Sequence, residues 1–317
     1  MQQDQSNKPN IVVIVGPTAV GKTDISIAAA KALNGEIISA DSAQVYKYMD
    51  IGTAKISQDE MQGIKHHMID EVTSDQSFSV ANFRDRADKY IQEITARGKL
   101  PIITGGTGLY INALLNNLDF TKSVGDEDFR ERMQEIADNK GNEYLYEMLK
   151  DIDIEAYQRL HANDVRRVIR ALEVFEFTGK TITHFQEESK KLPPRYNAAY
   201  IGLTMDRQKI YARIEQRVDA MIEKGLIEEV KKLLNMGYSR DLVSMQALGY
   251  KEIVKYLNGE VSLDESLFIL KRDSRHYAKR QLTWFRRDER IKWFDIDEYE
   301  DRITLVKNII NYIAGKI

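Results

Sequence analysis

The sequence predicts an α/β fold with a parallel β-sheet core, an all-helical domain inserted into it and a helical C-terminal part. Between residues 10 and 118, short apolar runs alternate with helix-compatible segments, the pattern of strands joined by crossover helices. From residue 126 to about 189, helical periodicity continues without a convincing strand. A strand returns at residues 198–204. We therefore predict an α/β core of residues 1–120 and 195–317 and a helical insertion of residues 121–194.

The first strand, residues 10–15, leads into a glycine-bounded loop that matches G-x-x-x-x-G-K-[ST], and a helix-compatible run follows at residues 24–33. In this context the glycines let successive backbone N–H groups point into one concavity, so the motif predicts a phosphate-binding P-loop. Lys22 is expected on phosphate oxygens and the Thr23 hydroxyl on Mg²⁺. The residues alone leave open whether the phosphate is a nucleoside triphosphate, a monophosphate donor or a diphosphate. The predicted loop residues are Gly16, Pro17, Thr18, Ala19, Val20, Gly21, Lys22 and Thr23.

The second strand, residues 35–40, ends immediately before Asp41. Ligands bind at the carboxyl ends of strands in open α/β sheets, so Asp41 should lie at the same edge as the P-loop. It could be a magnesium ligand, a general base or a structural carboxylate. A third strand is predicted at residues 66–70. Its adjacent His66 and His67 should point to opposite faces, which makes them a poor metal pair.

The rest of the core follows the same alternation. A helix is predicted at residues 78–97, and a buried strand at 99–104 runs into a second glycine turn at 105–110. After the insertion and its returning strand, the chain reads as helical. The predicted C-terminal elements are helices at 210–223, 226–236 and 262–287, a short strand at 291–295 and a terminal helix.

Composition limits the classes of function. The 317 residues include 43% hydrophobic and 30% charged residues, have a formal net charge of -3 and contain no cysteine. These values describe a globular protein that is not coated in positive charge, and they exclude disulfides and thiolate metal sites. Residues 1–9 lack the apolar region of a signal peptide, and no apolar run is long enough to cross a bilayer. We expect a cytoplasmic protein without membrane association.

Two basic clusters nevertheless stand out. Arg166, Arg167 and Arg170 fall within one helical turn. Residues 271–287 carry seven basic residues against Asp273 as the one acid, interleaved with His276, Tyr277, Trp284 and Phe285. Either cluster alone is also compatible with a solvated helix face, but arginine combined with aromatic residues favours a channel for nucleic acid or diphosphate.

The chain resembles the bacterial tRNA dimethylallyltransferase (IPP transferase) family, whose members prenylate N6 of the adenosine 3′-adjacent to the anticodon. The resemblance implies a P-loop kinase-like core, an inserted domain that grips the anticodon stem-loop, dimethylallyl diphosphate as donor and Mg²⁺ as cofactor, in an enzyme that consumes no ATP and that we expect to be a monomer. The matching stretches follow the family's order at residues 16–23, 41–46, 49–55, 66–70, 105–110, 163–174, 248–252 and 277–286.

Carried onto this chain, the family pattern implies Asp41 as base and Thr23 as magnesium contact, with catalytic contributions from Lys22 and Thr107. Either Arg213 or Arg217 would join the P-loop in binding diphosphate. The residues expected along the RNA are Asp41, Ser42, Ala43, Gln44, Thr107, Arg130, Asn163, Asp164, Val165, Arg166, Arg167, Ala247, Leu248, Gly249, Tyr250, Lys251 and Glu252, with Lys279 and Arg280 on RNA or diphosphate.

The sequence departs from the family pattern at Val20, where serine is common, and at Leu248, where isoleucine is common. Neither side chain is needed for the chemistry. Two other readings of the P-loop stay open: a small-molecule or nucleotide kinase, and a non-catalytic RNA-binding protein with a regulatory, ATP-binding nucleotide site.

Overall fold

The computed structural model describes residues 8–116 and 125–317. Its centre is a sheet of six parallel strands in the order β3-β2-β4-β1-β5-β6. The α/β prediction is confirmed, including the return of a strand after the insertion. The strands are β1 (Asn10–Val15), β2 (Gly35–Ser39), β3 (His66–His67), β4 (Leu100–Gly105), β5 (Asn197–Thr204) and β6 (Lys292–Asp295).

Strand β1 lies in the middle of the sheet, and its residues from Ile11 to Val15 are fully buried. In the register with β4, Val15 pairs with Gly105, so both strands end at the same level. Strand β2 pairs with the other side of β4, where Ser39 is opposite Thr104. Because parallel strands share one carboxyl edge, the segments after β1, β2 and β4 meet there.

Contacts divide the chain into two units, and the first comprises the chain up to Ile111 together with Tyr196–Ile317. Helices α1 and α13 pack on the sheet through a buried cluster that includes Ile27, Ile201 and Ile309. The helices of this unit are α1 (Lys22–Ala32), α2 (Val80–Ala96), α3 (Gly108–Leu115, whose end belongs to the second unit), α9 (Arg207–Glu223), α10 (Leu226–Asn235), α11 (Tyr250–Leu257), α12 (Leu263–Phe285) and α13 (Arg302–Ala314).

A separate apolar cluster of the first unit joins the segment after β2 to the C-terminal helices. Val45, Tyr46 and Met49 are buried there together with residues of α9, α10, α11 and α12. Tyr250 at the start of α11 is among the largest fully buried side chains. The segment that follows Asp41 is therefore part of a packed core, although it contains no long helix or strand.

The second unit comprises Asn112–Arg195 and has a hydrophobic cluster of its own. Its buried Glu173 accepts hydrogen bonds from Arg130 Nε (2.7 Å), Arg170 Nη1 (2.5 Å) and the Asp126 backbone N–H (3.1 Å). These donors hold the pKa of Glu173 below its usual range, although burial opposes them. The helices are α4 (Glu127–Lys140), α5 (Asn142–Glu147), α6 (Ile154–Arg159), α7 (Val165–Thr178) and α8 (Ile182–Lys191).

Two details differ from the expectations. The strand predicted at 66–70 ends after His67, because Met68 and Asp70 adopt positive φ angles of 65° and 56°. His67 Nε2 donates to the Glu36 carboxylate (2.8 Å) and His66 Nδ1 to the Ile64 carbonyl oxygen (2.9 Å), so the two rings have different partners. The first predicted domain boundary, at residues 120–121, lies outside the described residues. No helix of the described ranges is both long and apolar enough to span a membrane.

Candidate active site

The P-loop lies between β1 and α1 and depends on two glycines. Gly16 has a φ of 148°, and a Cβ there would lie 2.6 Å from the Leu203 carbonyl oxygen, so no other residue fits without displacing β5. Gly21 has a φ of 100° and precedes the first residue of α1. The backbone of the loop therefore takes the curvature that the motif predicted, and Lys22 and Thr23 open the helix.

Lys22 is turned back along its own loop. Its Nζ donates to the carbonyl oxygens of Gly16 (3.0 Å) and Pro17 (2.8 Å). Burial lowers the pKa of Lys22 to about 8, while the charge of Asp41 opposes the shift and that of Arg217 adds to it. Lys22, Asp41 and Arg217 therefore interact electrostatically, although they lie far apart in the sequence.

Asp41 begins a turn directly after β2. Its Oδ1 accepts from the backbone N–H of Ala43 (2.9 Å) and more weakly from that of Gln44 (3.4 Å), so the carboxylate orientation is fixed by the turn that it caps. Burial is the main cause of the shifted pKa values of Lys22, Tyr110 and Tyr277, and the charge of Asp41 contributes an upward influence on each of them. Asp41 is thus an anion that acts on all three of these groups.

Thr107, in the second glycine turn, joins the segments after β2 and β4. Its Oγ1 accepts from the Ser42 backbone N–H (3.1 Å), its hydroxyl donates to Ser42 Oγ (3.3 Å), and its own N–H donates to the Ala40 carbonyl (3.2 Å). The approach requires Gly105, because a Cβ there would lie 2.2 Å from the Ala40 oxygen. The structure therefore brings Asp41, Ser42 and Thr107 together, as the resemblance implied.

Two residues of α12 complete this side of the site, and neither was assigned a role from the sequence. Gln281 Oε1 accepts from the Thr18 backbone N–H (2.8 Å), and Gln281 Nε2 donates to the Gly106 carbonyl (3.0 Å). Burial, followed by the charge of Asp41, raises the pKa of Tyr277 to about 12, while the side chains of Thr107 and Gln281 oppose the shift. The i, i+4 spacing of Tyr277 and Gln281 on one helix face is the sequence signal that groups them.

Gln44 and Arg217 lie on the other side of Asp41 and share a partner. Gln44 Nε2 donates to the carbonyls of Thr53 (3.3 Å) and Ala54 (3.4 Å), and Arg217 Nη2 donates to that of Thr53 (3.4 Å). Burial lowers the pKa of Arg217 below its ordinary value, and the negative charge of Asp41 offsets part of that shift. Arg213, one turn earlier on α9, is exposed, and its charge acts on Asp297 instead. Of the two arginines left open, Arg217 is the one close to the P-loop and Asp41.

A cavity of about 270 Å³ opens beside the first turn of α1. It extends from Thr23 to the end of β2, where Gln44 forms part of the wall. The buried Thr104 hydroxyl, which makes no hydrogen bond among the described residues, also borders it. The remaining lining residues are Asp24, Ser26, Ile27, Ile37, Ser39, Ala54, Ile56, Glu60, Gln62, His66 and Ile69.

The predicted RNA contacts have varied environments. In the first unit, Tyr250 is fully buried and its hydroxyl donates to Glu229 (2.6 Å), whereas Lys279 and Arg280 on α12 are exposed. Gly249 adopts a φ of 96° beside Gly52, and Glu252 caps the Gly249 N–H (2.8 Å). Ala247, Leu248 and Lys251 are partly buried next to them.

The predicted contacts of the second unit also divide into two groups. Asn163, Arg166 and Arg167 are exposed at the beginning of α7, where Asp164 and Val165 are partly buried. Arg130 and Arg170 instead direct their guanidinium groups at the buried Glu173. On α12 of the first unit, Lys271, Arg272 and Arg275 similarly pair with Asp219, Asp273 and Glu215. Arg130 and four cations of the predicted basic clusters therefore have carboxylate partners.

The family model described as IPP transferase matches residues 44–288. The chain belongs to this family. Its curated relatives in the IPP transferase family include the tRNA dimethylallyltransferase of Acetivibrio thermocellus, 56% identical over 96% of this chain and 97% of that protein.

Solved structures of the family agree with this assignment. The full-length tRNA isopentenylpyrophosphate transferase of Bacillus halodurans is 49% identical, with a TM-score of 0.74 over 98% of this chain and 97% of the other. A eukaryotic dimethylallyltransferase acting on tRNA is 28% identical, with a TM-score of 0.82 over 97% of this chain and 80% of that chain. The P-loop and the turn at Asp41 thus belong to the core of an IPP transferase family member.

The pKa of Lys22 leads to the first prediction. Lys22 binds an anion only while it is charged, so kcat/KM for an anionic donor should be constant at neutral pH and fall as the pH rises through about 8. Lys22→Arg keeps the charge at alkaline pH and should remove that decline, even if its activity is lower throughout. The measurement is kcat/KM for the donor against pH in both proteins.

A decline at the same pH in Lys22→Arg would assign the titration to another group.

The lowered pKa of Lys22 also makes the stability of the protein depend on pH. Since the folded pKa lies below the ordinary value of 10.5, the unfolded chain binds more protons between these values. The contribution of Lys22 to the free energy of unfolding therefore increases with pH across that window.

Proposed function

We propose that this protein transfers a dimethylallyl group from dimethylallyl diphosphate to N6 of the adenosine 3′-adjacent to the anticodon in tRNA, with release of diphosphate. The observation that carries the proposal is the meeting of the P-loop, Asp41 and Thr107 at one edge of the sheet in a member of the IPP transferase family. The names of its relatives supply the substrate class.

In the proposed reaction the exocyclic amine of the adenine attacks C1 of the donor. Its nitrogen lone pair is delocalised into the ring, so it is a weak nucleophile until a base takes one of its protons. Asp41 accepts that proton as the N–C bond forms and the allylic C1–O bond breaks. The electron pair of the broken bond leaves with the diphosphate, where Lys22, the loop amides and Arg217 stabilise the added charge.

The residues that would position the adenine lie around Asp41. The side chains of Thr107 and Gln281 both act on the Tyr277 phenol, and Gln281 also accepts from the P-loop N–H of Thr18. Stacking on neighbouring bases hides the exocyclic amine, so the adenosine must be turned out of the anticodon loop before the amine can reach Asp41. The exposed Arg166 and Arg167 are proposed to hold the stem-loop backbone.

Mg²⁺ fits the donor side of this arrangement. The Thr23 hydroxyl opens α1 beside a cavity whose wall carries further oxygen groups, including Asp24, Ser39 and Thr104. Such hard ligands, together with diphosphate oxygens and water, suit Mg²⁺. When bound, the ion would neutralise charge on the departing diphosphate. We propose the same cavity as the entry for the donor, because Thr23 and Gln44 both border it.

The activity is tested by incubating the protein with dimethylallyl diphosphate, Mg²⁺ and unmodified tRNA, and by analysing the nucleosides by mass spectrometry. We expect one dimethylallyl group on one adenosine of each tRNA and the release of one diphosphate for each group transferred. A parallel reaction with ATP in place of the donor should leave the tRNA unchanged. Phosphoryl transfer from ATP, or an unaltered nucleoside composition with the prenyl donor, would contradict the proposal.

Asp41→Asn tests the proposed base. Asparagine retains the Oδ1 that accepts from Ala43 and Gln44, so the turn should survive while the proton acceptor is lost. Single-turnover rates should fall by roughly 10²–10⁴, and the binding of tRNA and donor should change far less. Asp241→Asn, at an exposed position, is the matched control. A near-normal single-turnover rate would remove Asp41 from the role of base.

Arg217→Ala and Arg213→Ala form a pair on the same helix that tests which arginine binds diphosphate. Arg217 interacts electrostatically with both Asp41 and Lys22 and is proposed to bind the diphosphate. Its loss should therefore raise the KM for the donor roughly 10–100-fold, which is the effect of losing one charge-assisted contact. Arg213→Ala should leave the donor KM within about twofold. Equal effects of the two variants, or the reverse order, would show that the assignment to Arg217 is incorrect.

Removing the charges of Arg166 and Arg167 tests the proposed RNA surface. Each phosphate contact releases counterions, so the double alanine variant should bind an anticodon stem-loop more weakly, with a salt slope shallower by about one unit per lost contact. Donor binding should not change. Removal of Lys190 and Lys191 on α8 controls for net charge. Unchanged affinity and slope would indicate that Arg166 and Arg167 form only a solvated surface.

A further inference from the structure

Glu229, on the first turns of α10, is bound by a turn of backbone that lies far from it in the sequence. Its Oε2 accepts from the N–H groups of Asp50 (3.0 Å) and Ile51 (2.8 Å). Its Oε1 accepts from the N–H of Gly52 (3.1 Å). Three successive amides that converge on one carboxylate form an anion-binding nest, and here the anion is a side chain of the protein itself.

The hydroxyl of Tyr250 is the fourth donor to this carboxylate, at 2.6 Å from Oε1. Tyr250 is fully buried, and burial together with Glu229 raises its pKa, so it remains a donor at all ordinary pH values. The Tyr250 ring also packs directly against the turn, because a Cβ on Gly52 would lie 2.5 Å from a ring carbon. Glu229, Gly52 and Tyr250 therefore form one interlocked contact.

The same turn presents its carbonyl groups to the candidate active site. The Thr53 carbonyl accepts from both Gln44 Nε2 (3.3 Å) and Arg217 Nη2 (3.4 Å), and the Ala54 carbonyl accepts from Gln44 (3.4 Å). These bonds fix an amide and a guanidinium against the carbonyls of residues 53 and 54. The positions of both side chains thus depend on where residues 53 and 54 are held.

We infer that Glu229 is a positioning residue for the transfer reaction, acting on Arg217 through the turn of residues 50–54. The inference rests on the proposed function, because that function assigns Arg217 to the diphosphate. The Glu229 carboxylate is occupied by four donors of the protein itself. It fixes the turn, and the Thr53 carbonyl of the turn orients the guanidinium that binds the donor.

The turn has a second anchor that keeps it folded. Lys55 Nζ pairs with Asp50 (2.5 Å) and Asp70 (2.6 Å) and donates to the Tyr46 carbonyl (2.8 Å). Its side chain is almost fully buried. An alteration at Glu229 should therefore shift residues 50–54 without unfolding the segment, so that positioning can be separated from stability.

Glu229→Gln is the test variant. Glutamine has one acceptor oxygen, so its NH₂ group must face one pair of donors; Tyr250 can rotate its hydroxyl to accept, but the Gly52 N–H cannot. We expect the donor KM to rise roughly tenfold, because a displacement of about 1 Å in a binding group is sufficient for such losses. The KM for tRNA should stay within about twofold, and the unfolding temperature should change little.

Two comparisons separate positioning from a general structural effect. Glu228→Gln on the same helix changes an exposed carboxylate that pairs with Lys231, and it should have no effect on either KM. In an Arg217→Ala background, Glu229→Gln should add less than about twofold to the donor KM, because the group through which it acts is gone. Full additivity, an equal loss for both substrates or an effect matched by Glu228→Gln would overturn the inference.

If Glu229→Gln does not fold, Tyr250→Phe provides the same test, since it removes one donor to the carboxylate and keeps the ring against Gly52. It should raise the donor KM in the same direction by about threefold, again without additivity to Arg217→Ala. Hydrogen exchange at the amides of residues 50–52 should be faster in either variant. That readout needs no catalysis, so failure of the proposed prenyl transfer, shown by an unaltered nucleoside composition with the prenyl donor, is distinguishable from failure of this inference.

Discussion

Close approach of backbone to backbone determines where the candidate active site forms. Gly105 lies so near the Ala40 carbonyl that a Cβ would be only 2.2 Å from the oxygen, and Gly16 has the same relation to the Leu203 carbonyl at 2.6 Å. The first approach joins the segments after β2 and β4, and the second places the P-loop against β5. Thr107 bonds Ser42, the neighbour of Asp41, across the first approach, and the charge of Asp41 acts on Lys22.

The electrostatics of the site follow from this compactness. Lys22 and Arg217 are cations that share the single anion Asp41, and burial penalises the charged form of both. Two buried positive charges against one negative charge favour the entry of a further anion. Burial is the main cause of the lowered pKa of Lys22, and we expect an anion that binds beside it to restore the charged state.

The fold and the central part of the site could be predicted from the sequence, because the information is local. The P-loop motif, the alternation of strands and helices and the position of Asp41 after β2 each occupy a few consecutive residues. The length of β3 could not be read in this way. Positive φ angles at Met68 and Asp70 end that strand, and the residue types at positions 66–70 do not predict these angles.

Other features depend on pairs of residues that are distant in sequence. Gln281 meets Thr18 across 263 positions, and Glu229 meets Asp50 across 179. The sequence indicates an RNA contact at Arg130 and places Arg170 in a basic cluster, and in the structure both guanidinium groups pair with Glu173, which is fully buried. A local charge pattern identifies a cation but not the carboxylate it pairs with, so these assignments required the packed structure.

The central position of β1 has a consequence for how the chain folds during its synthesis. One neighbour of β1 is β5, which the ribosome completes only after the entire inserted unit of Asn112–Arg195. Gln281, which holds the P-loop backbone at Thr18, emerges later still. The nascent chain thus contains the P-loop well before it contains Gln281, so the loop gains this support only after the inserted unit has been made. The inserted unit, which has its own apolar cluster, can fold during that interval.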